Sequence, residues 1–232
     1  MPDPLSLFVK TGRLIAGAPL RSRSWTKRQW AWRFAVGGAV VLAWAGKRDM
    51  QAIIQGHGGA SATSLAKFIN TYANGAGMAA VALAAFASGH FLRKQRLKDA
   101  ALVFGVAGVW CAALWSAGRF VFAERRPLAG GAMEFFALDG HGFSGHAAVA
   151  ALLVLPIRNV LLRRRSRRMR NALTVLVLAW VGVVGWSRVF LGMHFAWNIL
   201  AGLAVGFWAS AAAVETWQET HGDAPSPAAV EN

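Results

Sequence analysis

The chain has 232 residues, 56% of them hydrophobic, and a formal charge of +15. Its apolar residues stand in blocks of roughly 15–22, separated by short basic clusters, which is the pattern of membrane spans and their loops rather than of a soluble domain. A nucleic-acid partner is not expected either, because the basic residues punctuate apolar blocks instead of forming one stripe.

In chain order, residues 1–28 form a polar, basic segment whose short apolar run, Leu5 to Val9, is suited to the membrane surface. No small-residue cleavage site follows a short apolar core, so a cleaved leader is not expected. The first span is predicted over 29–46. Residues 47–71, rich in Gly and Ser, read as an external loop with a short helix around 64–72. The second span is predicted over 72–92 and the third over 100–118. A polar loop follows at 119–143. The fourth span, 144–162, contains Pro156 and Arg158 and should kink or end early. The fifth is expected at 171–186 and the sixth at 194–214, and the polar tail 215–232 is expected to be disordered. The result is an all-α bundle of six transmembrane helices, with one membrane domain over 29–214. Trp30, Trp32, Trp44, Trp110, Trp115, Trp186 and Trp217 fall near block ends, where an amphipathic ring favours the bilayer interface. The single cysteine, Cys111, lies within an apolar block and reads as a small core residue.

The Lys and Arg distribution gives the orientation. With the N-terminus inside, 18 of the 25 basic residues fall on the cytoplasmic side, so both termini are expected in the cytoplasm. Four of the seven outside charges, Arg119, Arg125, Arg126 and Arg188, lie in just two loops. Those loops also hold Ser144, Gly145, His146 and His194, with His141 nearby. Arginines present forked donors that match phosphate oxygens. Ser144 and Gly145 enter a helix, where backbone N–H groups help cradle an anion. Two histidines supply a nucleophile and a proton donor without a metal. The external acids Asp49, Glu124, Glu134 and Asp139 lack metal-site spacing, so no metal or other cofactor is expected.

At these residues the chain resembles the type 2 phosphatidic acid phosphatase superfamily. The family signature Lys-x6-Arg-Pro stands here as Arg119-x6-Arg126-Pro127. Pro-Ser-Gly-His stands as Phe143-Ser144-Gly145-His146, and Ser-Arg-x5-His-x3-Asp as Ser187-Arg188-x5-His194-x3-Asn198. Order and spacing match over roughly 72–207, and three motifs in register are far more specific than any one.

The resemblance implies a multi-pass bacterial inner-membrane enzyme, its site facing the periplasm or exterior, that removes phosphate from a lipid phosphate or diphosphate in the outer leaflet. By motif position His194 attacks phosphorus to give a phosphohistidine, and His146 protonates the leaving oxygen and then activates water. Arg119, Arg126 and Arg188, with Ser144 and the Gly145 amide, hold the non-bridging oxygens. His141 and Arg125 are candidates for substrate contact. Substrates of similar bacterial proteins include undecaprenyl diphosphate, phosphatidylglycerophosphate, phosphatidate and lipid A. The short external loops offer no extra domain for a large headgroup and favour undecaprenyl diphosphate.

Arg for Lys at 119 keeps the charge, and Phe for Pro at 143 changes loop stiffness. Asn198 weighs most, because an aspartate there would orient His194 and stabilise its imidazolium. Three readings follow: a slow or specialised enzyme, a compensated site, or an inactivating substitution. A non-hydrolytic lipid-phosphate binder or translocator and a phosphotransferase therefore stand as alternatives. His57, His90 and His221 read as structural or solvated. The basic run 163–170 reads as a topology anchor that also meets anionic headgroups, and Gly118, Gly130 and Gly131 as turn residues.

Overall fold

The computed structural model describes residues 3–21, 27–56, 59–124, 133–135 and 142–221. Helix α1, Pro4–Arg21, starts at Asp3, whose carboxylate accepts the N–H groups of Leu5 and Ser6 at 3.2 and 3.0 Å. Leu7, Thr11 and Ile15, spaced at four residues, are buried along one face. Within the Leu5 to Val9 run, Leu7 and Phe8 pack on other helices while Leu5 and Val9 stay exposed. Phe8 stacks on Trp110 at 4.9 Å and accepts its indole N–H at 3.1 Å, while the Thr11 and Thr216 hydroxyls meet at 3.4 Å. An apolar stripe reads the same whether it faces lipid or a neighbouring helix, and here its contacts are with other helices.

Helix α2, Lys27–Ala45, is the first predicted span. The expected loop after it is mostly helical: α3, Lys47–Gly56, and α4, Ala60–Tyr72. Its glycines and serines lower helix propensity, but Ala66 is buried and Ile69 and Ala73 pack with Ala150, Val154, Val181 and Val184, and packing overrides a weak local preference.

Helix α5, Gly75–Phe91, is capped by Asn74, which accepts the Gly77 N–H at 2.7 Å. It ends in a paired-carbonyl turn, with Arg93 N–H on His90 and Lys94 N–H on Gly89. The left-handed position of that turn, usually glycine, is Arg93 at φ 52°, which costs about 1 kcal/mol. Helix α6, Gln95–Val121, follows. Two three-residue strands, β1 (Phe122–Glu124) and β2 (Met133–Phe135), pair antiparallel with Phe122 opposite Phe135.

Helix α7, Gly145–Leu152, stops before Pro156, and Pro156–Leu161 continues as a π-helical segment. Proline brings no N–H, and its ring would clash with a carbonyl of the preceding turn, so the ladder is interrupted there. Arg158 in this segment donates to Asn171 and Thr174 of α8, Arg167–Phe190. Helix α9, Ala196–Thr220, runs six residues past the predicted end of the last span. Thr216 and Trp217 are buried, so the start of the expected disordered tail is core. His221 closes α9, with its Nδ1 on the Trp217 carbonyl at 2.8 Å.

α9 is the axis of the bundle, packing against α1, α2, α6, α7 and α8. Gln95–Arg119, Arg167–Phe190 and Ala196–Thr220 are long and apolar enough to cross a membrane, and Phe34–Ala45, Gly75–Phe91 and Gly145–Leu161 are shorter apolar helices. These six coincide with the six predicted spans. Phe34 (71% exposed), Leu83 (70%) and Leu176 (66%) face outward from the bundle, as lipid-facing residues do. The chain is a multi-pass, all-α membrane protein. Among the tryptophans expected near block ends, Trp217 is buried and Trp110 partly buried in the helix packing.

Candidate active site

The second motif is held from both sides. Ser144 is the N-cap of α7, its hydroxyl accepting the Ala147 N–H at 3.4 Å, and it is fully buried. Its backbone N–H donates to the Asn198 carbonyl at 2.9 Å, which ties this motif directly to the third. From α6, the Trp115 indole N–H donates to the Phe143 carbonyl at 3.0 Å. The Phe143 ring occupies the space beside Gly118, where a Cβ would collide with it. Phenylalanine at this position therefore packs on α6, and Gly118 serves helix packing rather than the turn expected of it.

The third motif begins at the end of α8. Ser187 and Arg188 are buried, with the Ser187 hydroxyl on the Val184 carbonyl at 2.8 Å. The Arg188 carbonyl accepts the N–H groups of Met193 and His194, at 3.0 and 3.3 Å. This tight return uses Gly192 at φ 66°, a conformation glycine adopts without strain. His194, half-buried, thus sits one turn beyond Arg188 at the entrance to α9.

Asn198 lies in the first turn of α9, 2% exposed. Its Oδ1 accepts the Phe195 N–H at 2.9 Å, and its Nδ2 donates to the Gly142 carbonyl at 3.4 Å. The side chain spans the two motif loops.

His146, in the first turn of α7, is half-buried and lies close enough to Arg188 for their charges to interact. Its Nε2 is 3.2 Å from the Asn70 carbonyl. A carbonyl only accepts, so Nε2 carries the proton. Asn70 belongs to the last turn of α4, where carbonyls lack intrahelical partners and the helix dipole favours a cation. Arg119, in the last turn of α6, lies over the Trp115 ring at 5.6 Å, at the same end of the bundle. Ser144 is thus joined to Asn198 and His146 to Arg188 across α7, α8 and α9, His194 is tied to Arg188 through its backbone, and Arg119 reaches the second motif through Trp115. Arg125, Arg126 and His141 lie outside the described residues.

Two contributors were not foreseen. Asn70 acts through its backbone carbonyl, which leaves no residue-type signature. Gln51 of α3, 7% exposed, donates to the Val189 carbonyl at 2.6 Å and steadies the end of α8 next to Arg188. The buried periodicity of Ala66, Ile69 and Ala73 was the available signal that α4 returns to the bundle.

Residues 127–221 match the model of the PAP2 superfamily, a stretch that takes in the second and third motifs. An uncharacterized 22.5 kDa protein of the cps region of Klebsiella pneumoniae is 30% identical over 106 residues, which are 46% of this chain and 51% of that one. The match thus spans about half the length of that relative. The crystal structure of the first transmembrane PAP2-type phosphatidylglycerolphosphate phosphatase from Bacillus subtilis has a similar fold, with a TM-score of 0.54 over 95% of this chain and 98% of that one at 21% identity. Over residues 127–221 the chain is thus similar to the PAP2 superfamily, and its fold is that of a transmembrane PAP2-type protein.

Proposed function

We propose that the protein is a lipid phosphate or diphosphate phosphatase acting through a phosphohistidine. The carrying observation is that His146 and Arg188, from different motifs, are within electrostatic reach of each other while Ser144 is hydrogen-bonded to Asn198. In the proposed reaction an imidazole nitrogen of His194 forms a bond to phosphorus as the bond to the lipid oxygen breaks. His146 gives a proton to that leaving oxygen and later takes one from the water that cleaves the phosphohistidine. Arg188 and Arg119, with Arg126, neutralise the equatorial oxygens, and the Gly145 amide lies where α7 begins. Phosphoryl transfer needs positioning and charge neutralisation more than covalent assistance, and this cluster supplies both.

The outward-facing site and the absence of metal from the chemistry follow from the charge count and the two-histidine mechanism. Undecaprenyl diphosphate remains the favoured substrate. The Bacillus subtilis neighbour makes phosphatidylglycerol phosphate the first alternative to assay. Both ends of the Asn198 amide have backbone partners, which supports a compensated site over a non-hydrolytic binder. The test is phosphate release by purified protein from each lipid in chelator. Release that vanadate blocks, and that falls about 10²–10⁴-fold in His146→Ala and more in His194→Ala, is expected. Turnover only with added Mg²⁺, or undiminished in His194→Ala, would contradict the proposal.

A further inference from the structure

A second, unrelated constellation lies at the other end of α6. Arg93 and Lys94 from the α5–α6 turn and Arg96 from the first turn of α6 meet Arg165 in one open cleft of about 450 Å³, lined also by Gln95, Leu97 and Leu161. Some 23 residues of helix separate Arg96 from Arg119, about 35 Å of rise, so the cleft and the candidate active site occupy opposite ends of the bundle. The Lys and Arg distribution assigns this end to the cytoplasmic face.

Three features here are each unfavourable without an anion. No acid lines the cleft, and none of its four cations has an ion pair among the described residues. The first turn of α6 holds Arg96 and no acid, which sets a cation at the positive end of the helix dipole. Arg93 occupies a left-handed position where glycine would be relaxed, so the fold tolerates strain to keep a cation in the cleft. One phosphate relieves the first two directly, and pairing with the Arg93 guanidinium offsets the cost of the third. Beside the cleft, Phe91 and Leu92 are 80% and 64% exposed, which sets it at the edge of the lipid-facing surface rather than in free solvent.

We infer that this cleft binds the headgroup phosphate of an anionic phospholipid in the leaflet opposite the active site, with Leu97 and Leu161 against its glycerol and upper acyl carbons. The general attraction of basic loops to anionic membranes depends on charge density alone. The inferred site depends on which cations are present.

The experiment is native mass spectrometry of the full chain in detergent, with phosphatidylglycerol, phosphatidylcholine or inorganic phosphate as the probe. The wild type should retain phosphatidylglycerol at least about tenfold more strongly than phosphatidylcholine. Arg96→Gln combined with Arg165→Gln should bring the two lipids level, while Arg167→Gln combined with Arg168→Gln, equal in charge but outside the cleft, should keep the preference. Arg93→Gly gives a second reading that does not depend on the stability of the double variant. It should raise the melting temperature by relaxing the turn and still weaken phosphatidylglycerol retention. Equal retention of both lipids by the wild type, equal losses in the two double variants, or full retention in Arg93→Gly would each overturn the inference. Displacement of phosphatidylglycerol by millimolar inorganic phosphate would overturn the assignment to a lipid.

Discussion

An amide has one end that accepts and one that donates, and Asn198 uses both. Its oxygen caps Phe195 and its nitrogen reaches Gly142. An aspartate keeps the first bond but sets a carboxylate oxygen against the Gly142 carbonyl, so the position is adapted to asparagine. Of the readings open from sequence, this favours the compensated site. Asn198→Asp should leave kcat unchanged or lower it, measured by steady-state kinetics; a tenfold or larger rise would mean that the site lacks its carboxylate. Asn198→Ala should cost about 1–3 kcal/mol of stability, read as a fall in melting temperature, because it leaves buried partners unsatisfied. The candidate residues were legible because phosphate chemistry demands particular side chains at fixed spacing. The role of Asn198 was not legible, since sequence names a side chain without naming the carbonyl it faces. The same limit hid Asn70, whose backbone oxygen meets His146.

At the scale of elements, the close fit of α7 on α9 depends on small residues. A Cβ on Gly202 would collide with the Ser144 carbonyl, and one on Gly206 with the Ala148 carbonyl. These two glycines, four apart on one face of α9, let backbones approach as they do at small-residue interfaces in membranes. Gly202→Val should therefore push the second motif away from the third. It is expected to destabilise the protein by about 1–3 kcal/mol and lose most phosphate release. Gly37→Ala, where the added carbon meets open space, should stay within about 0.5 kcal/mol of the parent. Thermal unfolding followed beside activity separates the two. The six apolar helices, three of them long enough to span, were legible because a membrane requires long apolar blocks. Helix α3 was not, and α4 was foreseen only as a short helix around 64–72, since short amphipathic stripes resemble loop sequence until a partner surface is known. The docking of α1 on Trp110 and Thr216 was hidden for the same reason.

For the whole molecule, the basic residues set one end of the bundle apart from the other, and the two histidine motifs gather at the less basic end. A fluorescent protein fused after residue 232 should be fluorescent, as cytoplasmic fusions are, whereas a dark fusion with an active periplasmic reporter would reverse the orientation. The central claim is that His194 carries the phosphoryl group. In His146→Ala the water-activating group is gone, so a phosphorylated enzyme should accumulate when the substrate leaves without needing a proton. Incubating that variant with ³²P-labelled p-nitrophenyl phosphate, quenching in alkali and mapping the labelled peptide should find an acid-labile phosphoryl group on His194. Label on another residue, or none while p-nitrophenol is released, would contradict the account.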